Sequence, residues 1–327
     1  MPERRIAVKL YAAPLEGMTN DLWRPIHARI FGGADRYFTP FVSPNATYKF
    51  QTKELNELTH NEGLPVIPQI LTNSADHFLW AAREMADMGY TEINFNLGCP
   101  SGTVTAKRKG AGMLSYPDEL DRLLTDIFDG LPTGMAMSVK TRVGKESTEE
   151  WGRLLAIYNQ FPLSELIVHP RVQKEFYRGH AHRELMADTL SATWLPLCYN
   201  GDIFTPSTAV AVAREYPDLI ALMMGRGLMA DPALLRRIRG GAAATREELR
   251  QYHDALWEAY RARLGGDLNA IYRMRELWNY LSGSFEDTDK FLKSVRKAKT
   301  GSEYLAAVER LFAENALNDH PLPPEGK

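Results

Sequence analysis

Short runs of β-branched and aromatic residues alternate along the first three quarters of the chain with stretches whose apolar positions recur every three or four residues. The first kind predicts strands and the second amphipathic helices. Eight strands are expected, at 8–13, 36–41, 66–70, 92–96, 137–141, 165–169, 197–200 and 220–224. Helices are expected between them, for example at 75–88, 117–128, 148–160, 206–215 and 232–239, with Pro206 and Pro232 at first-turn positions. Eight β/α repeats without a glycine-rich dinucleotide fingerprint after the first strand predict an α/β fold of the (β/α)8 TIM-barrel type. After Gly240-Gly241 the strand pattern stops. Helical stretches at 247–263, 270–281, 287–299 and 302–312 predict a C-terminal all-helical domain, which divides the chain into 1–241 and 242–327. The tail from Pro321 is expected to fray.

Composition narrows the function classes. The 327 residues are 44% apolar and 24% charged, with net charge −2, so a polyanionic partner must be met by local basic patches. The two cysteines, Cys99 and Cys198, have no framework spacing, which points to a reducing, cytoplasmic setting. No stretch approaches the ~20 apolar residues of a membrane span, and the N-terminal apolar run is too short for a signal peptide. No third ligand is suitably spaced from His180 and His182, so no metal is expected.

The chemistry concentrates at the carboxyl ends of the expected strands, where a barrel builds its active site. Strand one ends in Ala13-Pro14-Leu15-Glu16-Gly17-Met18-Thr19, strand three carries Gln69, and strand four carries Asn96 and then Gly98-Cys99-Pro100. Strand five offers Lys140-Thr141-Arg142, and strand six His169-Pro170-Arg171. Asn200-Gly201-Asp202 and Gly225-Arg226-Gly227 follow strands seven and eight, where barrels bind phosphate. Gln69 and Lys140 suit the polar edge of a flat heterocycle, and the set fits flavin mononucleotide (FMN) better than a sugar phosphate. A free cysteine is more often core filler than a reactive thiol. Its company at the strand ends turns Cys99 into a chemical candidate, and a basic, mobile-looking loop, Lys107-Arg108-Lys109-Gly110, follows it.

The chain resembles the tRNA-dihydrouridine synthases, flavin-dependent barrel enzymes with a C-terminal helical RNA-recognition domain. The resemblance rests on ordered pieces from about Leu10 to Arg239: APLEGMT, the Gln of VIPQIL, NFNLGCPS, KGAGML, VKTRVG, VHPR with Tyr177-Arg178-Gly179, YNGDI and MMGRG. The helical remainder, with Arg273 and Arg275, fits more loosely. Pro170 stands where the family usually has Gly, beside Arg171, and Leu15-Glu16 replaces a common Met-Ala.

The resemblance implies hydride from FMN, reduced by NADPH or NADH, to C6 of a tRNA uridine, with Cys99 as the acid that protonates C5. A proton donor needs a neutral resting thiol. Cofactor contacts carry over to Pro14, Leu15, Glu16, Gln69, Lys140, His169, Asn200, Gly201, Asp202, Gly225 and Arg226. A uridine flipped into the barrel mouth would meet Asn96, Lys107, Arg108, Lys109, Arg142, Arg171 and Tyr177. In the tail, Lys290, Lys293, Arg296, Lys297 and Lys299 recur at helical spacing as a second basic strip. Two other readings remain: a barrel acting on a free pyrimidine, similar to dihydroorotate dehydrogenases, and a catalytically silent RNA-binding protein. Neither the modified position nor the oligomeric state can be read from the residues.

Overall fold

The computed structural model describes residues 7–61 and 63–323. Its strands are β1 (Lys9–Ala12), β2 (Arg36–Phe38), β3 (Val66–Ile67), β4 (Gln69–Ile70), β5 (Glu92–Leu97), β6 (Ala136–Gly144), β7 (Glu165–Val172), β8 (Leu197–Tyr199) and β9 (Ala221–Met224). All pair in parallel, in the order β3-β2-β1-β9-β8-β7-β6-β5-β4. The two end strands are halves of one segment, interrupted at Pro68, which has no N–H to give to a ladder. The Pro68 carbonyl still accepts from the Asn94 N–H at 2.9 Å, so the ring closes as a barrel of eight segments.

Period-two alternation sorts the strand residues. Tyr11, Ala13, Phe38, Ile167, Cys198, Ala221 and Met223 fill the barrel interior. Their neighbours in sequence, such as Leu10, Ala12, Leu166, Val168, Leu197 and Leu222, face outward into the layer beneath the helices. Cys198 is thus interior packing. The eight expected strands all form, but β6 and β7 run three residues past their expected ends. They do so because Arg142 pairs with His169 and Gly144 with Val172 across a bulge.

Helices cover the outside. Ala75–Asp87 starts at Ser74, whose hydroxyl accepts from the His77 N–H, and Pro206–Glu215 starts at Thr205 in the same way. The stretch expected at 148–160 begins as a 3-10 turn, Thr148–Glu150, before the helix Trp151–Tyr158. Pro232 precedes its helix, Leu234–Ile238, because Asp231 caps the turn by accepting from the Ala233 N–H.

Beyond 242–245 come the helices Arg246–Leu264, Asp267–Leu281, Asp289–Lys297 and Gly301–Glu314. The first opens with a Thr245/Glu248 capping box and ends at Gly265 in the left-handed region. These helices share one continuous apolar core with the barrel's outer layer, running from Phe78 and Leu120 to Trp257, Trp278 and Tyr304. Trp23 Nε1 donates to the Tyr252 hydroxyl, Asn20 Nδ2 to the Tyr260 hydroxyl, and Arg263 bridges to Asp21 at 2.9 Å. Of the tail expected to fray, residues 324–327 lie outside the described residues. Of residues 321–323, Pro321 is buried and the Leu322 carbonyl lies against Gly283, which has no Cβ, while the Leu322 side chain is exposed. Among the described residues no helix is long and apolar enough to cross a membrane.

Candidate active site

A cleft of about 470 Å³, partly open to solvent, sits at the carboxyl ends of the strands. Pro14, Leu15, Lys140, His169, Tyr177, Asn200, Gly201, Asp202, Gly225 and Arg226 line it, together with Ala13, Ile203, Phe204, Met223, Met224 and Gly227. Ten of the positions singled out from sequence therefore meet in one place. The apolar liners were missed because an Ile, Phe or Met near a strand end reads as core. Gly227 has a visible signal, the repeated glycine of Gly225-Arg226-Gly227. A Cβ there would fall 2.2 Å from the Ile203 carbonyl, so only glycine lets the loops after β8 and β9 meet.

Charge in the cleft is organised around Asp202. Arg171 grips its carboxylate with two nitrogens at 2.9 and 2.6 Å, Arg226 donates at 2.7 Å, and the Ala181 N–H adds a fourth bond at 2.9 Å. Burial pushes this carboxyl up, but the Arg171 bonds, the Ala181 N–H and the two guanidinium charges outweigh it and hold it below the usual range. Arg171 is buried and also donates to the Arg178 and Gly179 carbonyls, so Pro170 leaves it aimed at Asp202 rather than outward. Arg171 also donates to His169 Nε2 at 3.2 Å, which puts the ring proton on Nδ1. Burial and the surrounding Arg142, Lys140, Arg171 and Arg226 hold His169 neutral. Tyr177 stacks on His169, and Arg226 lies over the Tyr177 ring at 4.5 Å. Burial, reinforced by Arg142, brings Lys140 down to about 8.

Cys99 lies in a tight turn at the end of β5. The Asn96 side-chain oxygen accepts from the backbone N–H groups of Gly98 and Cys99. Arg142 is 1% exposed and spends its donors on the carbonyls of Gly98 (3.0 Å), Val172 (3.0 Å) and Phe176 (2.8 Å). It thus ties the cysteine turn to the loop that carries Tyr177. Gln173, which sequence reasoning passed over, adds a bond from Nε2 to the Pro100 carbonyl at 3.0 Å. Burial raises the Cys99 thiol above its ordinary value; the Ser101 N–H, Arg142 and Lys140 pull the other way without overcoming it. The resting thiol is therefore neutral at pH 7.

The segment expected to be a mobile loop contains regular structure. A helical turn, Gly102–Thr105, and a 3-10 helix, Gly110–Ser115, fold back so that the Ala111 N–H donates to the Cys99 carbonyl. Gly110 has φ +54°, and a Cβ on it would lie 2.9 Å from that carbonyl oxygen. Lys107 and Arg108 are exposed, Lys109 is half-buried and none of the three lines the cleft; Arg108 pairs with Glu119 and Lys109 donates to the Ser43 hydroxyl. Two expected cofactor residues do not line the cleft: Glu16 pairs with Lys53 at the surface, and Gln69 is fully buried beneath it. Lys290, Lys293, Arg296, Lys297 and Lys299 are all exposed on or just after the helix Asp289–Lys297. Among the described residues no group of His, Cys, Asp and Glu is arranged to hold a metal.

A dihydrouridine synthase family model matches residues 11–317. The chain is 27% identical to a tRNA-dihydrouridine(16) synthase of Ralstonia nicotianae, covering 96% of this chain and 99% of that protein. It is 30% identical to the tRNA-dihydrouridine(16) synthase of Aquipseudomonas alcaligenes, over 74% of this chain and 78% of that one. Among solved structures, morphinone reductase superposes with a TM-score of 0.51 at 12% identity, covering 75% of this chain and 88% of that one, a likeness of fold.

Proposed function

The chain belongs to the dihydrouridine synthase family, and from that membership we propose that it reduces the C5–C6 double bond of a tRNA uridine with FMN as cofactor and NADPH or NADH as reductant. The observation that carries the reading is the neutral, half-buried Cys99, held by its turn at the end of β5 within electrostatic reach of Lys140, which lines the cationic cleft. The cleft's chemistry suits the cofactor. Arg226 and the loops at Gly201 and Gly225 would hold its phosphate, Pro14 and Leu15 would flank the flat ring, and Lys140 would face the ring's developing negative charge. When bound, the flavin supplies hydride to C6. The protein's own part is to hold the flipped base, exclude water and deliver a proton from Cys99 Sγ to C5. Arg142 and Asn96 fix the height of that sulfur through the backbone. Tyr177, backed by His169, offers an aromatic face at the mouth.

The family match runs through the helical segment to residue 317, which favours tRNA over a free pyrimidine. The full-length relatives are named for position 16, and we extend that position to this chain. Cys99→Ala should bind FMN and oxidise NADPH at parent rates while dihydrouridine formation collapses by two to four orders of magnitude, roughly the share of general acid catalysis. Normal modification by the alanine variant would overturn the assignment. Mapping dihydrouridine in tRNA from cells with and without the gene should show loss at position 16, and loss at another position would redirect the substrate proposal.

A further inference from the structure

Below the cleft, inside the barrel, a file of polar side chains runs away from the cysteine turn. Asn96 Oδ1 accepts from Gly98 N–H at 3.1 Å and Cys99 N–H at 2.9 Å. Asn96 Nδ2 donates to Gln69 Oε1 at 2.6 Å, and Gln69 Nε2 donates to Asn94 Oδ1 at 2.7 Å. Asn94 Nδ2 donates to Ser138 Oγ at 2.9 Å, and that hydroxyl donates to the Ile93 carbonyl at 3.3 Å. Gln69, Asn94 and Ser138 are fully buried, and Asn96 nearly so.

The direction of this file is forced. A side-chain amide can flip and a hydroxyl can turn, so each link alone is ambiguous. Here backbone N–H groups, which only donate, close the upper end. A backbone carbonyl, which only accepts, closes the lower one. Flipping Asn96 or Gln69 sets donor against donor and acceptor against acceptor, and flipping Asn94 sets its N–H groups against those of Gln69 and draws the Ser138 hydroxyl off the Ile93 carbonyl, where no water can repair the loss. The orientation of Asn96 is therefore tied to groups two layers below it. That orientation uses both lone pairs of its oxygen and one of its two N–H bonds, so the group left for a substrate is a donor.

We propose that Asn94 and Ser138 are positioning residues for the reaction: through Gln69 they hold the Asn96 amide in the one orientation that caps the Cys99 turn and offers a carbonyl-seeking N–H to the base. The catalytic consequence rests on Cys99 as proton donor; the effect on the turn does not. A fixed turn keeps the Ser101 N–H against the Cys99 sulfur, so loosening it changes the thiol as well as its position.

The test compares Asn94→Leu, Asn94→Asp and Ser138→Ala in the FMN-loaded enzyme. Leu keeps the volume and removes both bonds. Asp keeps an acceptor toward Gln69 in either protonation state, and Ser138 can turn toward it. The pH profile of Cys99 alkylation by iodoacetamide, without tRNA, reads the turn directly, because Cys198 is fully buried and silent. Asn94→Leu should displace that profile and lower kcat about tenfold or more, with KM for tRNA and FMN content near the parent's. Ser138→Ala should move both in the same direction by less, and it decides the matter if Asn94→Leu does not fold. Asn94→Asp should restore the parent behaviour. A parent-like profile and kcat in both Asn94→Leu and Ser138→Ala would overturn the proposal, as would Asn94→Asp failing as badly as Asn94→Leu, since an acceptor toward Gln69 would then not hold Asn96. Should Cys99→Ala still make dihydrouridine, the acid assignment falls, and the alkylation profiles still decide the relay.

Discussion

Removing the Asp202 carboxylate should cost this protein several kilocalories per mole. Asp202→Ala deletes three bonds from Arg171 and Arg226 and one from the Ala181 N–H, and it leaves two guanidiniums facing each other. The Arg171 side chain is 1% exposed and cannot recover water, while Arg226, at 11%, recovers little. Breaking a buried pair from one side typically costs about 3–5 kcal/mol, because the surviving buried charge, here that of Arg171, loses its carboxylate. With an unfolding entropy of ~2.1 cal/mol/K per residue, a 327-residue chain unfolding as one unit gains roughly 0.7 kcal/mol/K, so the expected drop in Tm is about 4–7 °C. Calorimetry of the FMN-free protein measures this. Adding FMN should return more of the lost stability to the variant than it adds to the parent, since a phosphate beside Arg226 replaces part of the missing negative charge. A drop under about 1 °C, or equal stabilisation of both proteins by FMN, would refute the reasoning. The pH sign follows from the depressed carboxyl. Its stabilisation is fully present above the unfolded carboxylate value near ~4 and is lost as pH falls through the lower folded value. Asp202→Asn should therefore flatten the acid limb of the stability curve below about pH 4.

Gly110→Ala should lower dihydrouridine formation about tenfold or more while sparing NADPH oxidation, because its Cβ would press on the Cys99 carbonyl at 2.9 Å from a left-handed backbone; equal turnover would count against an ordered cysteine turn. FMN affinity, measured by fluorescence quenching, should weaken as pH rises through about 8, where Lys140 loses its proton, and Lys140→Gln should remove that step between pH 7 and 9. Replacing Lys290, Lys293 and Lys297 together by Ala should reduce the slope of log affinity for tRNA against log salt by roughly 2–3, whereas an unchanged slope would take that strip out of the RNA-binding face.

The strands were legible because a parallel barrel buries both faces of each one, so short apolar runs bounded by Gly, Pro and Asn mark them cleanly. The cleft was legible because polar residues at seven strand ends cannot all be solvent caps. What was hidden is which partner each side chain chooses. Asn94 reads as the solvent side of an alternating strand, yet in a closed barrel that side is the interior, and the residue is fully buried. Arg142 and Arg171 read as ligand-seeking cations. Their carbonyl partners are Val172 at the end of β7 and Phe176, Arg178 and Gly179 in the segment after it, whose path no local pattern specifies. The basic run Lys107–Lys109 suggested an open loop because the closeness that Gly110 and Gly112 permit leaves no periodic trace.

The segment between β1 and the helix Trp23–Ile30 serves two masters. Pro14 and Leu15 form one wall of the cleft. A few residues on, Asn20, Asp21 and Trp23 are fastened to Tyr260, Arg263 and Tyr252 of the first C-terminal helix. The segment is a short lever with the cleft at one end and the C-terminal helices at the other. The helical part is therefore no detachable adaptor: a chain cut after Gly241 should release flavin as well as tRNA, seen as a colourless barrel on gel filtration, and a truncated protein that stayed yellow would sever the lever. Retargeting such an enzyme to another uridine by exchanging its helices would require carrying residues 13–23 along with them.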